Sequence, residues 1–268
     1  MSDEAPARAH PGFAGRGRLI LRALPLLALV FGGLLVLSLL RLIERPFFGR
    51  ARPWTPSITV FVCRYALRIL GLTINHHGAP MAHPGAMVAN HSSWLDIFAL
   101  NSAGPLYFVS KSEVAQWPGI GWLARATGTV FVNRRAREAG TQKTLFEERL
   151  AAGHRLLFFP EGTSTDGQRV LPFKSTLFDG LISDPGLWVQ PVTVVYSAPE
   201  GEDARFYGWW GDMDFAPHLA QVLAQAPQGR VDVIWHAPVD VATFACRKSL
   251  ARHCEAVVSA GHSGAANS

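Results

Sequence analysis

The stretch GAMVANHSSWLDIFALNSA, residues 85–103, places a short apolar run, a polar turn and a second apolar run in direct succession. The first run, GAMVAN, is short and uninterrupted, which is typical of a buried strand. The second, WLDIFALNSA, is typical of a helix that begins near Trp94. The stretch therefore predicts a strand joined to a helix by a polar turn, where α/β folds commonly carry functional residues.

The turn contains His91 and Asp96, and their spacing allows two interpretations. If Ser93 is the helix N-cap, Asp96 completes a Ser-x-x-Asp capping box, and His91 has no part in it. Alternatively, Asp96 hydrogen-bonds the His91 imidazole and fixes its tautomer, so that the other ring nitrogen can take a proton. Ser92 and Ser93 lack the G-x-S-x-G pattern of a serine hydrolase, so we expect the base to act on a substrate hydroxyl.

Two further predicted strands also end in polar residues. RLLFF runs into Pro-Glu-Gly-Thr, where Gly162 allows a tight turn and the Glu161 carboxylate needs a partner or a substrate. A capping Thr163 or Ser164 in an ordinary loop is the alternative. GTVFVN runs into Arg134, whose planar guanidinium matches the oxygens of an anion such as phosphate.

Short apolar runs alternate with helical patterns from about residue 72 onward. The predicted strands are LTINHH, GAMVAN, LYFVS, GTVFVN, RLLFF, LWVQPVTVVY and RVDVIWHAPVD. The predicted helices are WLDIFALNSA, TQKTLFEERLAA, STLFDGLI, FAPHLAQVLAQA and a segment near residues 246–258. Alternation of this kind predicts an α/β fold with a mixed, partly parallel sheet flanked by helices.

The N-terminal quarter is basic and apolar. Residues 1–70 contain ten arginines and three acidic residues, whereas the remainder contains fifteen Lys and Arg against seventeen acidic residues. A basic surface confined to the N-terminus favours an anionic membrane over a nucleic acid. The uncharged run ALPLLALVFGGLLVLSLL, residues 23–40, and the amphipathic segment of residues 57–74 predict a membrane-associated helical pair. A full span, a cleaved signal peptide and a buried soluble helix are the alternatives.

These patterns divide the chain into four parts. We expect a flexible basic N-terminus over residues 1–17 and membrane-associated helices over residues 18–71. The α/β domain is predicted over residues 72–260 and a disordered tail over residues 261–268. Three cysteines do not make a disulfide framework, and the spacing of Cys246, His253 and Cys254 matches no standard zinc pattern.

Taken together, four motifs in order resemble the glycerolipid acyltransferase superfamily, typified by 1-acylglycerol-3-phosphate acyltransferases. Its His-x4-Asp motif is similar to His91–Asp96, and its Gly-x-x-Phe-x-x-Arg strand is similar to Gly128–Arg134. Its Phe-Pro-Glu-Gly-Thr motif is similar to Phe159–Thr163, and its Pro-Val strand to VQPV. The segment Lys111–Ala124 also resembles the corresponding segment of the family.

The resemblance implies a membrane-associated enzyme that moves an acyl chain from acyl-ACP or acyl-CoA to the hydroxyl of 1-acylglycerol-3-phosphate. It assigns catalysis to His91 and Asp96. It assigns substrate binding to five residues: Lys111, Arg134, Glu161, Gly162 and Thr163. Many phosphate-acceptor members carry Arg where this chain has Ser164. The run EGTSTDGQRVLPFKS resembles members that acylate lyso-ornithine lipid, which is the alternative acceptor.

The resemblance further implies no metal and no cofactor, no nucleic-acid partner, and an inner or plasma membrane location with the site on the cytoplasmic side. Two other classes stay open. A membrane-anchored metal hydrolase could use the four histidines His76, His77, His83 and His91. A lipid-binding protein without catalysis would need a groove but not His91.

If Arg134 binds an anion of the acceptor, Arg134→Ala is expected to raise the KM for the acceptor about tenfold to a hundredfold. A charge-assisted hydrogen bond contributes roughly 1.5–3 kcal/mol. Arg134→Lys is expected to restore binding in part, because lysine lacks the planar guanidinium. Initial rates measured while each substrate is varied in turn provide the check. An equal rise in the KM for the thioester would contradict the assignment.

Overall fold

The computed structural model describes residues 12–132, 148–184 and 186–266. Two helices come first, α1 (Phe13–Phe48) and α2 (Thr55–Leu70), followed by an α/β domain. The 36 residues of α1 give it a length of about 54 Å. Gly33 allows α1 and α2 to pack closely, because a Cβ at that position would overlap the Val62 side chain.

Within the described residues, the domain is built on an eight-stranded sheet. Its strands are β1 (Thr73–His77), β2 (Gly85–Ala89), β3 (Tyr107–Lys111), β4 (Val130–Val132), β5 (Leu156–Phe158), β6 (Trp188–Ser197), β7 (Arg230–Trp235) and β8 (Val239–Asp240). Their spatial order is β1-β7-β6-β2-β5-β3-β4, with β8 paired to β6. Strands β6, β2, β5, β3 and β4 run parallel, while β7 is antiparallel to β6. The predicted mixed, partly parallel sheet flanked by helices is confirmed.

Helices cover both faces of the sheet. The domain contains α3 (Asp96–Ala103), α4 (Ile120–Thr127), the short α5 (Asp179–Ile182), α6 (Phe215–Ala224) and α7 (Arg247–Ala266). All of these lie on the sheet except α4, which packs against α1, α2 and the 3₁₀ turn before it. All five residues of the central strand β2 are buried. Met87 and Ala89 belong to a core with α2, α3 and α6, while Ala86 and Val88 belong to a second core with α5 and α7. This alternation follows from the two-residue period of a strand.

The start of α1 is attached to the domain, and its end is attached to the start of α2. Near its start, Arg18 Nε donates to the carbonyl of Ala224, and Arg22 donates to the carbonyl of Leu223, at the C-terminus of α6. Near its end, the buried Glu44 carboxylate accepts from the amides of Trp54 and Thr55 and from the Thr55 hydroxyl. Glu44 therefore caps the start of α2, a cap for which the sequence gives no local signal.

The outer face of α1 is strongly apolar and exposed. Side chains such as Leu21, Leu42 and Phe47 are more than 70% exposed. Among the residues described, α1 is the one helix long and apolar enough to cross a membrane. The predicted apolar N-terminal helix is confirmed. This exposed apolar face extends from Phe13 to Phe48, over the whole length of the helix.

The structure differs from the sequence prediction at several element boundaries. Residues 13–17, predicted to be flexible, form the start of α1. Helix α7 continues through most of the segment predicted as a disordered tail, because Gly261 packs closely against His236 and Thr193 and because His262 is buried. In that tail, His262 Nε2 also hydrogen-bonds the carbonyl of Gly167.

Three other predictions differ in detail. The late strand is split into β7 and β8, and STLFDGLI forms a 3₁₀ turn followed by the single turn of α5. Helix α4 and the preceding 3₁₀ turn, Ser112–Gln116, are absent from the predicted elements. Their Trp-Pro-Gly-Ile-Gly sequence has too many helix breakers for a propensity argument. Of the helix predicted over residues 141–152, residues 148–151 are helical and residues 141–147 lie outside the described residues.

Replacing Glu44 with alanine is expected to lower the free energy of unfolding by about 3 kcal/mol, because buried donors at the start of α2 lose their acceptor. Urea unfolding of the full chain in an uncharged detergent provides the measurement. Glu202→Ala, which removes an exposed carboxylate, is the control and is expected to leave stability unchanged. A Glu44→Ala variant as stable as this control would show that the cap contributes nothing.

Candidate active site

His91 and Asp96 form a close pair at the carboxyl edge of the sheet. Strand β2 ends at Ala89, and the chain turns through residues 90–95 before α3 begins at Asp96. His91 Nδ1 and Asp96 Oδ2 lie 2.7 Å apart. The predicted contact between these two side chains is therefore present.

Asp96 is fully buried and accepts hydrogen bonds on both oxygens. Oδ2 accepts from His91 Nδ1 and from the backbone amides of Ser92 (2.8 Å) and Ser93 (3.0 Å). Oδ1 accepts from the Tyr196 hydroxyl at 2.7 Å. These four donors match the roughly four acceptor positions of an ionised carboxylate. The capping-box bond to Ser93 and the bond to His91 thus coexist, although α3 begins two residues later than predicted.

Tyr196 is a member of the site that sequence reasoning missed. It lies on β6, one hundred residues from Asp96, and is more than nine-tenths buried. Burial, together with the Asp96 carboxylate beside it, raises the pKa of the Tyr196 hydroxyl well above 10. Tyr196 therefore keeps its proton and acts as a hydrogen-bond donor to Asp96 at any physiological pH. No local pattern around Tyr196 indicates this contact.

The position of Asp96 determines which nitrogen of His91 carries the proton. An ionised carboxylate is only an acceptor, so Nδ1 is the protonated nitrogen and Nε2 has a free lone pair. No residue in the described ranges hydrogen-bonds Nε2. The ring stacks on Phe159, with centroids 4.0 Å apart, and the side chain is 21% exposed. His91 can therefore accept a proton from a molecule that approaches the open side of the ring.

Asn90 fixes the turn to the neighbouring strand. Its side-chain amide donates to the carbonyl of Val194 and accepts from the amide of Val194, both at 2.8 Å. The side chain thus extends the pairing of β2 and β6 by one step beyond the end of β2. No local pattern indicates this role of Asn90, because the contact depends on a strand more than a hundred residues away.

Glu161 anchors the backbone of His91 from the other side. One oxygen accepts from the His91 amide at 2.6 Å and the other from the Leu171 amide at 2.8 Å. Burial raises the pKa of Glu161 to about 7, with the nearby Asp96 charge adding to the rise and the two amide bonds opposing it. The sequence predicts that Glu161 positions an acceptor. In the structure it is 2% exposed and both oxygens are used within the protein.

Two backbone carbonyls of the turn after β2 also accept hydrogen bonds. The Thr165 amide donates to the His91 carbonyl at 2.9 Å, and the Trp209 amide donates to the Ser92 carbonyl at 2.8 Å. The Ser92 side chain faces Gly167, and its buried hydroxyl has no hydrogen-bond partner within the described part of the chain. These backbone contacts fix two segments against the turn after β2. One is the loop after β5, which contains Thr165, and the other is the segment between β6 and α6, which contains Trp209.

Three of the other four predicted binding residues lie within the described ranges. Gly162 adopts a φ of 72°, a left-handed conformation that favours glycine, and so makes the predicted tight turn. Thr163 is exposed beside it. Lys111 is the last residue of β3, at the same edge of the sheet as His91, and pairs with Val132 of β4. Arg134 lies outside the described residues, so its assignment stays a prediction.

The other three histidines of the alternative metal site each contact a different residue. His76 hydrogen-bonds Ser102, His77 pairs with Asp232, and His83 stacks on Trp188. Within the described ranges, no three His, Cys, Asp or Glu side chains group as metal ligands. Burial raises the pKa of the Cys254 thiol to about 12, so this cysteine stays protonated at neutral pH.

Comparisons with known proteins agree with this geometry. Residues 73–195 match the family described as Acyltransferase. A lyso-ornithine lipid O-acyltransferase of Rhodobacter capsulatus is 58% identical over 264 residues, which cover 97% of this chain and 96% of that protein. A 1-acyl-sn-glycerol-3-phosphate acyltransferase of Neisseria gonorrhoeae is 38% identical over 123 residues, which cover 45% of this chain and 48% of that protein.

A solved structure has the same fold. The crystal structure of the 1-acyl-sn-glycerophosphate acyltransferase PlsC from Thermotoga maritima superposes with a TM-score of 0.59, at 22% identity. The match covers 91% of this chain and 97% of that one. Since the similarity to the Rhodobacter capsulatus protein extends over almost the full length of both sequences, the chain belongs to the glycerolipid acyltransferase family.

Proposed function

We propose that this chain transfers a fatty acyl group from an acyl thioester to the free hydroxyl of lyso-ornithine lipid, giving ornithine lipid. The observation that carries the proposal is the His91–Asp96 pair, which leaves Nε2 of an oriented imidazole open at the carboxyl edge of the sheet. The choice of acceptor is supported by the near-full-length similarity to a lyso-ornithine lipid O-acyltransferase.

In the first step, His91 Nε2 removes the proton of the acceptor hydroxyl while that oxygen attacks the thioester carbonyl. Asp96 holds the ring in position and stabilises the imidazolium that forms. Collapse of the tetrahedral intermediate breaks the carbon–sulfur bond, and the leaving thiolate takes the proton back from His91. The products are an ester and a free thiol, either CoA or the acyl carrier protein.

The oxyanion of the intermediate needs hydrogen-bond donors near the start of α3. The amides of Ser92 and Ser93 are occupied by Asp96, which removes them as candidates. The Trp94 amide, next along the turn, has no acceptor within the described residues. We assign the oxyanion contact to Trp94, because a preorganised backbone donor of this kind can lower the barrier by about 3 kcal/mol.

All the groups used in these steps are side chains or backbone amides of this chain, so the proposal includes no metal and no organic cofactor. Lys111, Gly162, Thr163 and, from the sequence, Arg134 are proposed to contact the acceptor. Glu161 is proposed to act through His91, by fixing its backbone. The apolar face of α1 would keep the enzyme at the membrane that holds both lipids, with the site on the cytoplasmic side where acyl thioesters are made.

A second candidate acceptor is 1-acylglycerol-3-phosphate, which is favoured by the shorter match to the Neisseria gonorrhoeae enzyme. Ser164, where many phosphate-acceptor relatives carry arginine, argues against it. In a mixture of equal amounts of the two lysolipids and a labelled acyl thioester, we expect ornithine lipid as the main product. Ser164→Arg is expected to shift the product ratio toward phosphatidic acid. Phosphatidic acid as the main product of the unmodified chain would contradict the proposed acceptor.

His91→Ala is expected to reduce kcat by about 10²–10⁴, the usual contribution of a general base. Asp96→Asn is expected to reduce it too, because the asparagine amide no longer selects the tautomer with a free Nε2. His83→Ala, which removes an exposed histidine stacked on Trp188, is the matched control and should keep the unmodified rate. If Asp96 only caps α3, Asp96→Asn will lower the melting temperature and leave kcat intact.

A further inference from the structure

A basic groove lies between the C-terminal half of α1 and helix α4. Its volume is about 880 Å³, which is in the range of ligand-binding pockets. Four arginines contribute to its walls, Arg41, Arg45, Arg52 and Arg125. The remaining walls are largely apolar and include Leu34, Leu37, Leu42 and Trp122. The groove therefore combines a concentration of positive charge with an apolar surface.

Behind the groove, buried polar atoms lack hydrogen-bond partners. Within the described residues, six buried side-chain nitrogen or oxygen atoms have no partner, and four of them belong to Arg52, Arg149 and His154. The guanidinium groups of Arg52 and Arg149 are neighbours, because a Cβ at Gly128 would touch both. Buried donors are normally satisfied by protein, water or a bound ion. Their concentration at one place indicates that a bound group completes this cluster.

The charges of the cluster are also poorly balanced. Of the five arginines at positions 41, 45, 52, 125 and 149, only Arg41 has a carboxylate partner in the described part of the chain, Glu44. The neighbouring Glu148 pairs with Arg50. Burial, reinforced by the nearby Arg52 charge, lowers the pKa of Arg149 to about 10. Like charges crowded together in a buried position favour the uptake of an anion.

The groove is remote from His91. Tyr107, on which the Arg149 guanidinium stacks, begins β3, while Gly128 precedes β4 and His154 precedes β5. These positions lie at the amino edge of the parallel strands, whereas His91 follows the carboxyl end of β2. An anion bound here would therefore lie at the opposite edge of the sheet from the proposed reaction.

The mouth of the groove joins the exposed apolar face of α1. Leu42 lines the groove and is 72% exposed, and Trp122 on the opposite wall is 65% exposed. Tryptophan is enriched where one surface meets both hydrocarbon and water. An anionic head group could bind the arginines while its acyl chains follow α1, which a free phosphate ion could not do.

We propose that this groove, defined by Arg41, Arg45, Arg52 and Arg125, is a binding site for the phosphate of an anionic phospholipid, separate from the acyl-transfer site. The phosphate oxygens accept from the arginines at the mouth, and the acyl chains lie along Leu42 and the outer face of α1. Bound lipid would fix α1 to α4 and join the enzyme to a negatively charged membrane.

A competing explanation is that the arginines only cap the C-terminal end of α4. Arg52 does donate to the carbonyl of Ala126, and Arg149 donates to that of Gly128. Such contacts are favourable at a helix C-terminus. They use the terminal nitrogens, however, and leave both buried Nε atoms without partners. These two contacts do not involve Arg45. Capping of α4 therefore explains the positions of Arg52 and Arg149, but it does not explain the accumulation of positive charge in the groove.

The test uses the full chain in an uncharged detergent and short-chain phosphatidylglycerol as the probe. Its affinity is measured from the rise in melting temperature with lipid concentration. Arg45→Gln and Arg125→Gln, which change exposed side chains of the groove, are each expected to weaken binding about tenfold. Arg16→Gln removes an exposed arginine from the other end of α1 and is the matched control, expected to bind like the unmodified chain. Phosphatidylcholine of equal chain length and inorganic phosphate are the comparison ligands.

The proposal predicts stabilisation by phosphatidylglycerol in preference to phosphatidylcholine and to inorganic phosphate. Equal stabilisation by inorganic phosphate would show a simple ion site and would overturn the lipid assignment. Equal stabilisation by phosphatidylcholine, or unaltered binding in both groove variants, would also overturn it. Acyl transfer is measured on the same variants over a range of lysolipid concentrations, with the acyl thioester held at saturation. A raised acceptor KM in Arg45→Gln or Arg125→Gln would make the groove part of the acceptor site and contradict a separate site.

Discussion

The fully buried carboxylate of Asp96 is the constraint on which the site depends. A desolvated charge of this kind is strongly unfavourable unless hydrogen bonds compensate it. Its four donors come from the turn after β2, from the imidazole of His91 and from Tyr196 on β6. Satisfying Asp96 therefore requires that β2, α3 and β6 be assembled in their native positions, so the fold and the orientation of the proposed base are set by the same group.

Two carboxylates divide the work of positioning His91. Asp96 fixes the ring through Nδ1, and Glu161 fixes the backbone through the His91 amide. Their surroundings differ, because Asp96 is matched by four donors while Glu161 accepts from two backbone amides. Burial accordingly raises the pKa of Glu161 to about 7. The loop after β5 is thereby tied to the turn after β2 by Glu161 of the Pro-Glu-Gly-Thr motif, whose side chain faces the protein interior.

The contacts of the site that can be predicted from the sequence are those between residues close together in the chain. His91 and Asp96 are five residues apart, so the turn between strand and helix brings them into contact almost regardless of the rest of the fold. Tyr196 and Val194 could not be identified as partners of Asp96 and Asn90, because those contacts exist only once β6 lies beside β2. The capping-box pattern predicts that α3 begins near Trp94, whereas the helix begins at Asp96, a difference of the size that is usual at helix ends. The polar, glycine-containing sequence of residues 261–268 predicts a disordered tail. That prediction is wrong for residues 261–266, which are helical, because the burial of His262 holds them against the domain.

The chain thus carries the His91–Asp96 pair at the edge of the sheet where β2 ends, and an exposed apolar face along α1. Helix α1 contacts the domain through hydrogen bonds from Arg18 and Arg22 to α6. The central claim is that Asp96 selects one tautomer of His91. The tautomer is measured directly by nitrogen NMR of the full chain, labelled with ¹⁵N-histidine and dissolved in detergent. The spectra are recorded at a pH where imidazole is neutral, and the His91→Gln variant identifies the His91 signals. We expect a His91 ring protonated at Nδ1 and unprotonated at Nε2. A ring protonated mainly at Nε2, or one that exchanges between the two forms, would contradict it.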